Sequence, residues 1–299
     1  MRIIVSGSSG LVGSALVAEL RAIGHSVTRL VRNGRAASPA ERFVSWNPMR
    51  GTIDAAALEG HDAVVNLAGE SLIGVWTEAK KAAIRESRVR GTSLLAKAIT
   101  GLREPPRVFV SASAIGYYGD RPANEPLDEK ASRGAGFLSD VVTEWETASH
   151  LADPVARVVN PRFGLILSPK GGALAAMLPV FRTGLGGKVG SGEQIWSWIA
   201  LADVVRGILH VIDNERAAGP VNFTAPNPVS NHEFTEALGR VLHRPTVFTA
   251  PAFAVRLVMR DMGEEMLLSG ANVVPSRLLQ TGYRFKFPEL AAALKSFFG

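Results

Sequence analysis

The chain has 299 residues, 46% of them hydrophobic, so it can bury a core large enough for two domains or for one large α/β domain with an appendage. It contains no cysteine, which excludes disulfide bonds and thiolate chemistry. The formal charge of +6 comes from Lys and Arg residues scattered along the chain, so we expect a small-molecule substrate of anionic character rather than a nucleic-acid partner.

The sequence shows no long apolar segment. A membrane span needs ~20 consecutive apolar residues, and no run approaches that length. Residues 3–5 already belong to the first predicted strand, so we expect no signal peptide. The sequence therefore predicts a cytoplasmic protein without a membrane partner, and it leaves the oligomeric state open.

A glycine-rich turn joins the first strand to the first helix. Residues 1–6 form an apolar strand, and residues 11–23 carry apolar side chains at helical spacing before Gly24 ends the helix. Glycines let such a turn approach a pyrophosphate, and the helix N-terminus offers unpaired N–H groups to the anion. The turn predicts a dinucleotide site of seven consecutive residues: Gly7, Ser8, Ser9, Gly10, Leu11, Val12 and Gly13.

Strands and helices alternate along most of the remaining chain. Further strands are predicted over residues 27–32, 43–46, 63–67, 107–113 and 155–159. Further helices are predicted over residues 77–100, 137–151, 202–212, 231–242, 252–262 and 287–298. This alternation predicts an α/β fold with a Rossmann-like, doubly wound parallel sheet and right-handed crossovers.

The alternation weakens between residues 161 and 192, where Pro and Gly become frequent and we expect a loop-rich stretch. We therefore predict a dinucleotide-binding domain over residues 1–168, to which residues 196–225 return. Residues 169–195 and 226–299 then form a smaller, mixed C-terminal lobe on the substrate side.

The end of the second strand indicates which dinucleotide binds. A site for NAD usually has a carboxylate there, on the ribose 2′-hydroxyl. This chain has Arg32, in Leu30-Val31-Arg32-Asn33-Gly34-Arg35, and an arginine can hold the 2′-phosphate of NADP. The alternative is an exposed arginine on a turn.

Two further groups of residues, Asn66-Leu67-Ala68-Gly69 and Ser111-Ala112-Ser113, end predicted strands at the edge of the sheet where ligands bind. With the glycine turn, they make the chain resemble the extended short-chain dehydrogenase/reductases. Residues 113–119, 184–192 and 281–285 make it resemble an epimerase-like family with a small C-terminal domain of unknown function.

The resemblance implies a bound NADP and a substrate cleft between the two lobes. It implies cofactor contacts from four residues: Arg32, Leu67, Ala68 and Arg88. Gly69 belongs to the same strand exit, which also has a simpler interpretation as a loop that uses glycine for its backbone angles. Without the resemblance, Arg88 would be a solvated residue on the long helix.

The resemblance also implies a serine, a tyrosine and a lysine for hydride chemistry. Ser113 matches the serine, unless it is only a small residue at a crowded strand end. The helix over residues 137–151 contains neither tyrosine nor lysine, so we expect an atypical mechanism. Tyr117 and Tyr118 could supply a phenol, or they could pack or contact the substrate.

Other candidate residues fall in the second half of the chain. Arg162 follows the sixth strand and is expected to face the cleft. Residues 184–192 combine glycines with Lys188, which suits a phosphate or a carboxylate on exposed N–H groups. Trp196 and Trp198 should share one face of a strand, where they stack on a ring or pack in the core. The histidines show no metal-ligand spacing, so we expect no metal site.

Two functional hypotheses follow. The first is an NADP-dependent oxidoreductase or epimerase that acts on a small or nucleotide-linked substrate. The second is a non-catalytic NADP-binding sensor or regulatory protein, which the missing tyrosine and lysine would explain.

Overall fold

A computed structural model describes residues 1–32 and 42–299 of the chain. Its strands are β1 Arg2–Ser6, β2 Ser26–Val31, β3 Arg42–Asn47, β4 Thr52–Ile53, β5 Ala63–Asn66, β6 Val108–Ser111, β7 Ser113–Ala114, β8 Pro126–Leu127, β9 Arg157–Phe163, β10 Leu165–Leu167, β11 Gly187–Val189, β12 Ile195–Trp196, β13 Trp198–Ala200, β14 Gly219–Phe223, β15 Val229–Ser230, β16 Phe248–Ala250 and β17 Asn272–Val273. Its α-helices are α1 Leu11–Ala22, α2 Glu78–Thr100, α3 Phe137–Ser149, α4 Gly172–Arg182, α5 Leu201–Asp213, α6 Asn231–Leu242, α7 Ala252–Gly263, α8 Ser276–Gln280 and α9 Leu290–Phe298.

The central sheet has the strand order β14-β9-β6-β5-β1-β2-β3-β4, with β7 paired to β9. All neighbours are parallel except β3 and β4. Side chains of β1 alternate between the two faces: Ile3 packs with α1 and α5, and Ile4 packs with α2. Helices therefore cover both faces, and the predicted Rossmann-like doubly wound α/β fold is confirmed.

The expected loop-rich stretch between residues 161 and 192 is wrong. This stretch holds the end of β9, then β10, α4 and β11. Helix α4 contains Pro179, which normally disfavours a helix interior. Its apolar residues Leu174, Leu178 and Phe181 are buried in the core of the second lobe, and this packing outweighs the local preference.

Helices α4, α6 and α9 contribute to a separate apolar core. We keep the name second lobe for residues 169–195 and 226–299, and their division from the rest of the chain stays a prediction. Trp196 and Trp198 both lie in this core, so the packing alternative for this pair is confirmed. Helix α6 has the predicted bounds, and its N-terminus carries a capping box between Ser230 and Glu233. Helix α9 begins at Leu290, three residues after the predicted start, because Phe287 precedes Pro288 and the residue before a proline disfavours the helical conformation.

Asp203 in α5 holds the C-terminal segment against the sheet. Its carboxylate is fully buried and accepts hydrogen bonds from the Tyr283 hydroxyl at 2.9 Å, from Lys286 N–H at 2.7 Å and from Phe287 N–H at 2.9 Å. Three donors satisfy the buried charge, and the segment that leads into α9 is thereby tied to α5.

Replacing Asp203 should destabilise the whole chain. Asp203→Ala leaves the N–H groups of Lys286 and Phe287 unpaired and removes one of the two partners of the Tyr283 hydroxyl, so we expect the free energy of unfolding to fall by about 3 kcal/mol in urea titrations. Asp213→Ala is the control, because Asp213 lies in the same helix but is exposed, with its nearest cation 3.9 Å away. Equal effects of the two substitutions would contradict this role of Asp203.

Candidate functional site

The glycine turn leaves the N-terminus of α1 open. Gly7 has a φ of +63°, and its carbonyl accepts a hydrogen bond from Gly10 N–H at 3.0 Å. No side chain caps α1, and its first turn contains no acidic residue. The first N–H groups of the helix are therefore available to an anionic ligand.

The turn fits closely against the exit of β5. A Cβ at Gly7 would lie 2.5 Å from the carbonyl oxygen of Leu67, and a Cβ at Gly13 would lie 2.2 Å from the carbonyl oxygen of Gly7. Only glycine fits at these two positions. The fold thus brings the predicted residues of the turn together with Leu67 and Ala68, as a dinucleotide site requires.

Two arginines belong to or directly follow β2, the strand that pairs with β1. Arg29 in β2 donates from Nε to the Ser8 hydroxyl at 2.9 Å, and sequence reasoning missed it. Its signal was the lone cation within the second strand. Arg32 is exposed directly after β2. The rest of the quoted stretch, Asn33, Gly34 and Arg35, lies outside the described residues.

Arg88 is half-buried in α2 beside the β5 exit. Its guanidinium donates to the carbonyl oxygen of Glu70 at 3.0 Å and lies 5.2 Å from the centre of the Trp145 ring. A Cβ at Gly69 would lie 3.3 Å from Arg88 Cζ. Burial lowers the pKa of Arg88 to about 10, so a nearby anion would be stabilising.

A buried ion pair lies at the carboxyl edge of the sheet. Arg162 in β9 donates from Nε to Glu146 Oε1 at 2.7 Å and from Nη2 to Glu146 Oε2 at 2.8 Å. Ser113 donates its hydroxyl proton to Glu146 Oε1 at 2.5 Å. All three residues are buried. Although burial opposes its charge, the hydrogen bonds and charge of Glu146 raise the pKa of Arg162 above its ordinary value.

The two tyrosines after Ser113 have different surroundings. Tyr118 is fully buried; its hydroxyl accepts from Arg162 at 3.0 Å and donates to Asn222 at 2.7 Å. Burial raises the pKa of Tyr118 to about 12. Tyr117 is half-buried, and the centre of its ring lies 3.5 Å from Arg162 Cζ. Arg162, expected to face the cleft, is instead enclosed by Glu146 and the two rings.

The start of α3, where the superfamily's tyrosine and lysine are expected, is covered by the second lobe. Glu265 accepts hydrogen bonds from Phe137 N–H at 2.7 Å and from Leu138 N–H at 2.8 Å. Met262 and Met266 pack in the same apolar cluster as Phe137. The N–H groups of this helix start therefore already have an anionic partner.

Lys188 belongs to β11, where it donates to the carbonyl oxygen of Ser191 at 3.1 Å. Val189 N–H binds Asn231 Oδ1, Gly190 N–H binds the carbonyl of Ala250, and Gly192 N–H binds the carbonyl of Val189. The expectation of exposed N–H groups is wrong for these three residues. The role of Lys188 toward a substrate stays a prediction.

Among residues 1–32 and 42–299, no three or more His, Cys, Asp or Glu side chains come together in a way that could hold a metal ion. Within the same residues, every helix is too short or too polar to cross a bilayer.

The fold and the glycine turn together define a dinucleotide-binding protein of the Rossmann type. The family model of the NAD dependent epimerase/dehydratase family matches residues 3–223, and the model of a domain of unknown function, DUF1731, matches residues 250–297. The chain belongs to the NAD dependent epimerase/dehydratase family, and the resemblance to an epimerase-like short-chain dehydrogenase/reductase with this C-terminal domain is confirmed.

Similar proteins cover the whole chain. An epimerase family protein of Mycobacterium bovis is 43% identical over 98% of this chain and 96% of its own length. The crystal structure of human epimerase family protein SDR39U1 with NADPH has a TM-score of 0.90 and 36% identity, over 99% of both chains. A nucleoside-diphosphate sugar epimerase from Corynebacterium glutamicum has a TM-score of 0.80 and 34% identity, over 100% of this chain and 58% of that one.

Removing one member of the buried ion pair should cost more than removing both. Glu146→Ala leaves the Arg162 charge buried without its carboxylate, so we expect a loss of about 3–5 kcal/mol in the free energy of unfolding. The double variant Glu146→Leu with Arg162→Met should recover most of this loss. Glu144→Ala is the control, since Glu144 lies in the same helix but is exposed. A double variant less stable than Glu146→Ala would contradict the prediction.

Proposed function

We propose that the protein is an NADP-dependent oxidoreductase or epimerase that acts on a small or nucleotide-linked substrate. The main support for this proposal is the glycine turn, which fits against Leu67 so closely that a Cβ at Gly7 could not be accommodated. The open N-terminus of α1 beside this turn would hold the pyrophosphate. The similar human protein crystallised with NADPH supports the same cofactor class.

Three cations, Arg29, Arg32 and Arg88, would bind the 2′-phosphate and the ribose of NADP. Arg29 and Ser8 are already hydrogen-bonded to each other, and Arg32 follows at the end of the same strand, so the pair would meet the 2′-phosphate with little reorganisation. Arg88 would face the cofactor next to Gly69. A bound nicotinamide supplies or accepts the hydride of such reactions.

The nucleotide-linked substrate is supported by the name of the similar Corynebacterium protein, a nucleoside-diphosphate sugar epimerase. We assign the substrate side to Tyr117 and Lys188, and a catalytic role to Ser113; Tyr118 and Arg162 are buried behind Tyr117 and would support it rather than touch the substrate. Since the Ser113 proton is given to Glu146, the Ser113 oxygen would act toward a substrate as an acceptor. The cytoplasmic location stays a prediction.

The preference for NADPH over NADH should depend on Arg29 and Arg32. Arg32→Ala or Arg29→Ala removes charge-assisted hydrogen bonds to the 2′-phosphate, so we expect the Kd for NADPH to rise about 10- to 100-fold. The Kd for NADH should stay within about twofold, because NADH has no such phosphate. Fluorescence titration of both nucleotides measures this, with the exposed Arg216→Ala as control. Equal losses for both nucleotides would refute the assignment.

Turnover distinguishes an enzyme from a sensor. We expect the protein to change the absorbance of NADPH, or to epimerise a product, with a panel of carbonyl compounds and nucleotide sugars that includes UDP-glucose. Ser113→Ala should then lower the rate about 10²-fold or more and leave the Kd for NADPH unchanged. Tight NADPH binding without turnover of any compound would favour the sensor instead.

A further inference from the structure

The proposed chemistry needs a group that gives a proton to the substrate or takes one from it. The superfamily's tyrosine and lysine are absent from α3, whose start is covered by Glu265 and Met262. Several hydroxyl groups lie at the carboxyl edge of the sheet. Most of these hydroxyl groups are buried and already hydrogen-bonded to protein groups, so few of them could exchange a proton with a substrate.

Ser113 and Tyr118 are poorly placed for proton exchange. Ser113 is 2% exposed, and its proton is donated to Glu146. Tyr118 is 0% exposed, its hydroxyl lies between Arg162 and Asn222, and burial raises its pKa to about 12. Neither hydroxyl can exchange a proton with a substrate without first breaking these contacts.

Tyr117 differs from both. Its hydroxyl has no hydrogen-bond partner among residues 1–32 and 42–299, and the side chain is half-buried. Its carbonyl accepts from Gly134 N–H at 2.9 Å and from the Ser139 hydroxyl at 3.0 Å, which fixes the residue beside the start of α3. The phenol is therefore held in place while its oxygen stays available.

The Tyr117 ring has a fixed cation on one face. Arg162 Cζ lies 3.5 Å from the ring centre, and the Tyr118 ring meets Tyr117 edge-on at 5.3 Å. The two hydrogen bonds to Glu146 hold the guanidinium at this distance. The stacked guanidinium, itself held by Glu146, therefore fixes the position of the Tyr117 ring.

We propose that Tyr117 is the acid and base of the reaction, with Arg162 as the stacked cation and Glu146 as the residue that positions Arg162. This assignment rests on the proposed function. In reduction, the hydride that a bound NADPH would supply forms the new C–H bond, the C=O π pair moves to oxygen and bonds to the Tyr117 proton, and the O–H bond of Tyr117 breaks. The phenolate takes a proton back from solvent. In oxidation, the phenolate takes the proton of the substrate hydroxyl, the O–H pair forms the C=O π bond, and the hydride of the broken C–H bond would pass to NADP+.

Chemical modification tests where Tyr117 lies without requiring turnover. The chain has three tyrosines, and Tyr118 and Tyr283 are 0% and 6% exposed. Tetranitromethane should therefore nitrate Tyr117 first, as peptide mass spectrometry would show. NADPH together with UDP-glucose should slow this nitration. Nitration of Tyr118 or Tyr283 before Tyr117, or no protection by the two ligands, would overturn the assignment.

Turnover variants test the chemistry itself. Tyr117→Phe should lower kcat about 10²-fold or more, flatten the alkaline limb of the pH profile and leave the Kd for NADPH unchanged. Tyr283→Phe is the matched control, because it removes the hydroxyl of a buried tyrosine that is hydrogen-bonded to Asp203 in α5, and kcat should stay near the wild-type value. Glu146→Leu with Arg162→Met should lower kcat while Tyr117 remains open to nitration.

The outcomes separate the two proposals. A protein that binds no NADPH refutes the proposed function whatever Tyr117 does. Intact NADPH binding with wild-type kcat in Tyr117→Phe overturns only the role of Tyr117. If no compound of the panel is turned over, the nitration result decides whether Tyr117 lines the ligand cleft, and unprotected nitration then overturns the assignment.

Discussion

The buried pair of Glu146 and Arg162 is the interaction on which the candidate site depends. The Arg162 guanidinium and the Glu146 carboxylate are joined by hydrogen bonds of 2.7 and 2.8 Å and are almost entirely buried. Either charge would be strongly unfavourable there without the other. The pair joins α3 to β9, and the Ser113 hydroxyl joins it from β7. Because each charge needs the other, the side chains around the pair have little freedom to rearrange. A site built on such a pair is fixed before any ligand arrives.

Much of the fold could be predicted because strand and helix periodicity is a local property. The alternation of apolar strands and amphipathic helices can be recognised from short stretches of sequence. The helix over residues 231–242 has the predicted bounds. Helix α4 could not be predicted, because Pro179 and the flanking glycines favour a loop locally. Its apolar face is explained only by the core of the second lobe, which the sequence does not display.

The site could be predicted in part for the same reason. The glycine turn is contiguous, so its meaning is visible in the sequence. The contact of Arg29 with Ser8 spans 21 residues, and that of Glu146 with Ser113 spans 33. Glu146 carries no motif of its own and looks like any charged residue on a helix. Contacts across such distances depend on how the strands are ordered, so they appear only once the sheet is formed.

Glu265 has one more consequence, for how the molecule unfolds. This carboxylate belongs to the second lobe, yet it accepts hydrogen bonds from the first two N–H groups of α3, a helix that packs on the central sheet. Asp203 makes the converse connection, from α5 to the segment before α9. Each lobe thus completes backbone hydrogen bonding in the other. The two lobes should consequently melt as one cooperative unit, and a chain truncated before residue 250 would fray at a helix far from the cut.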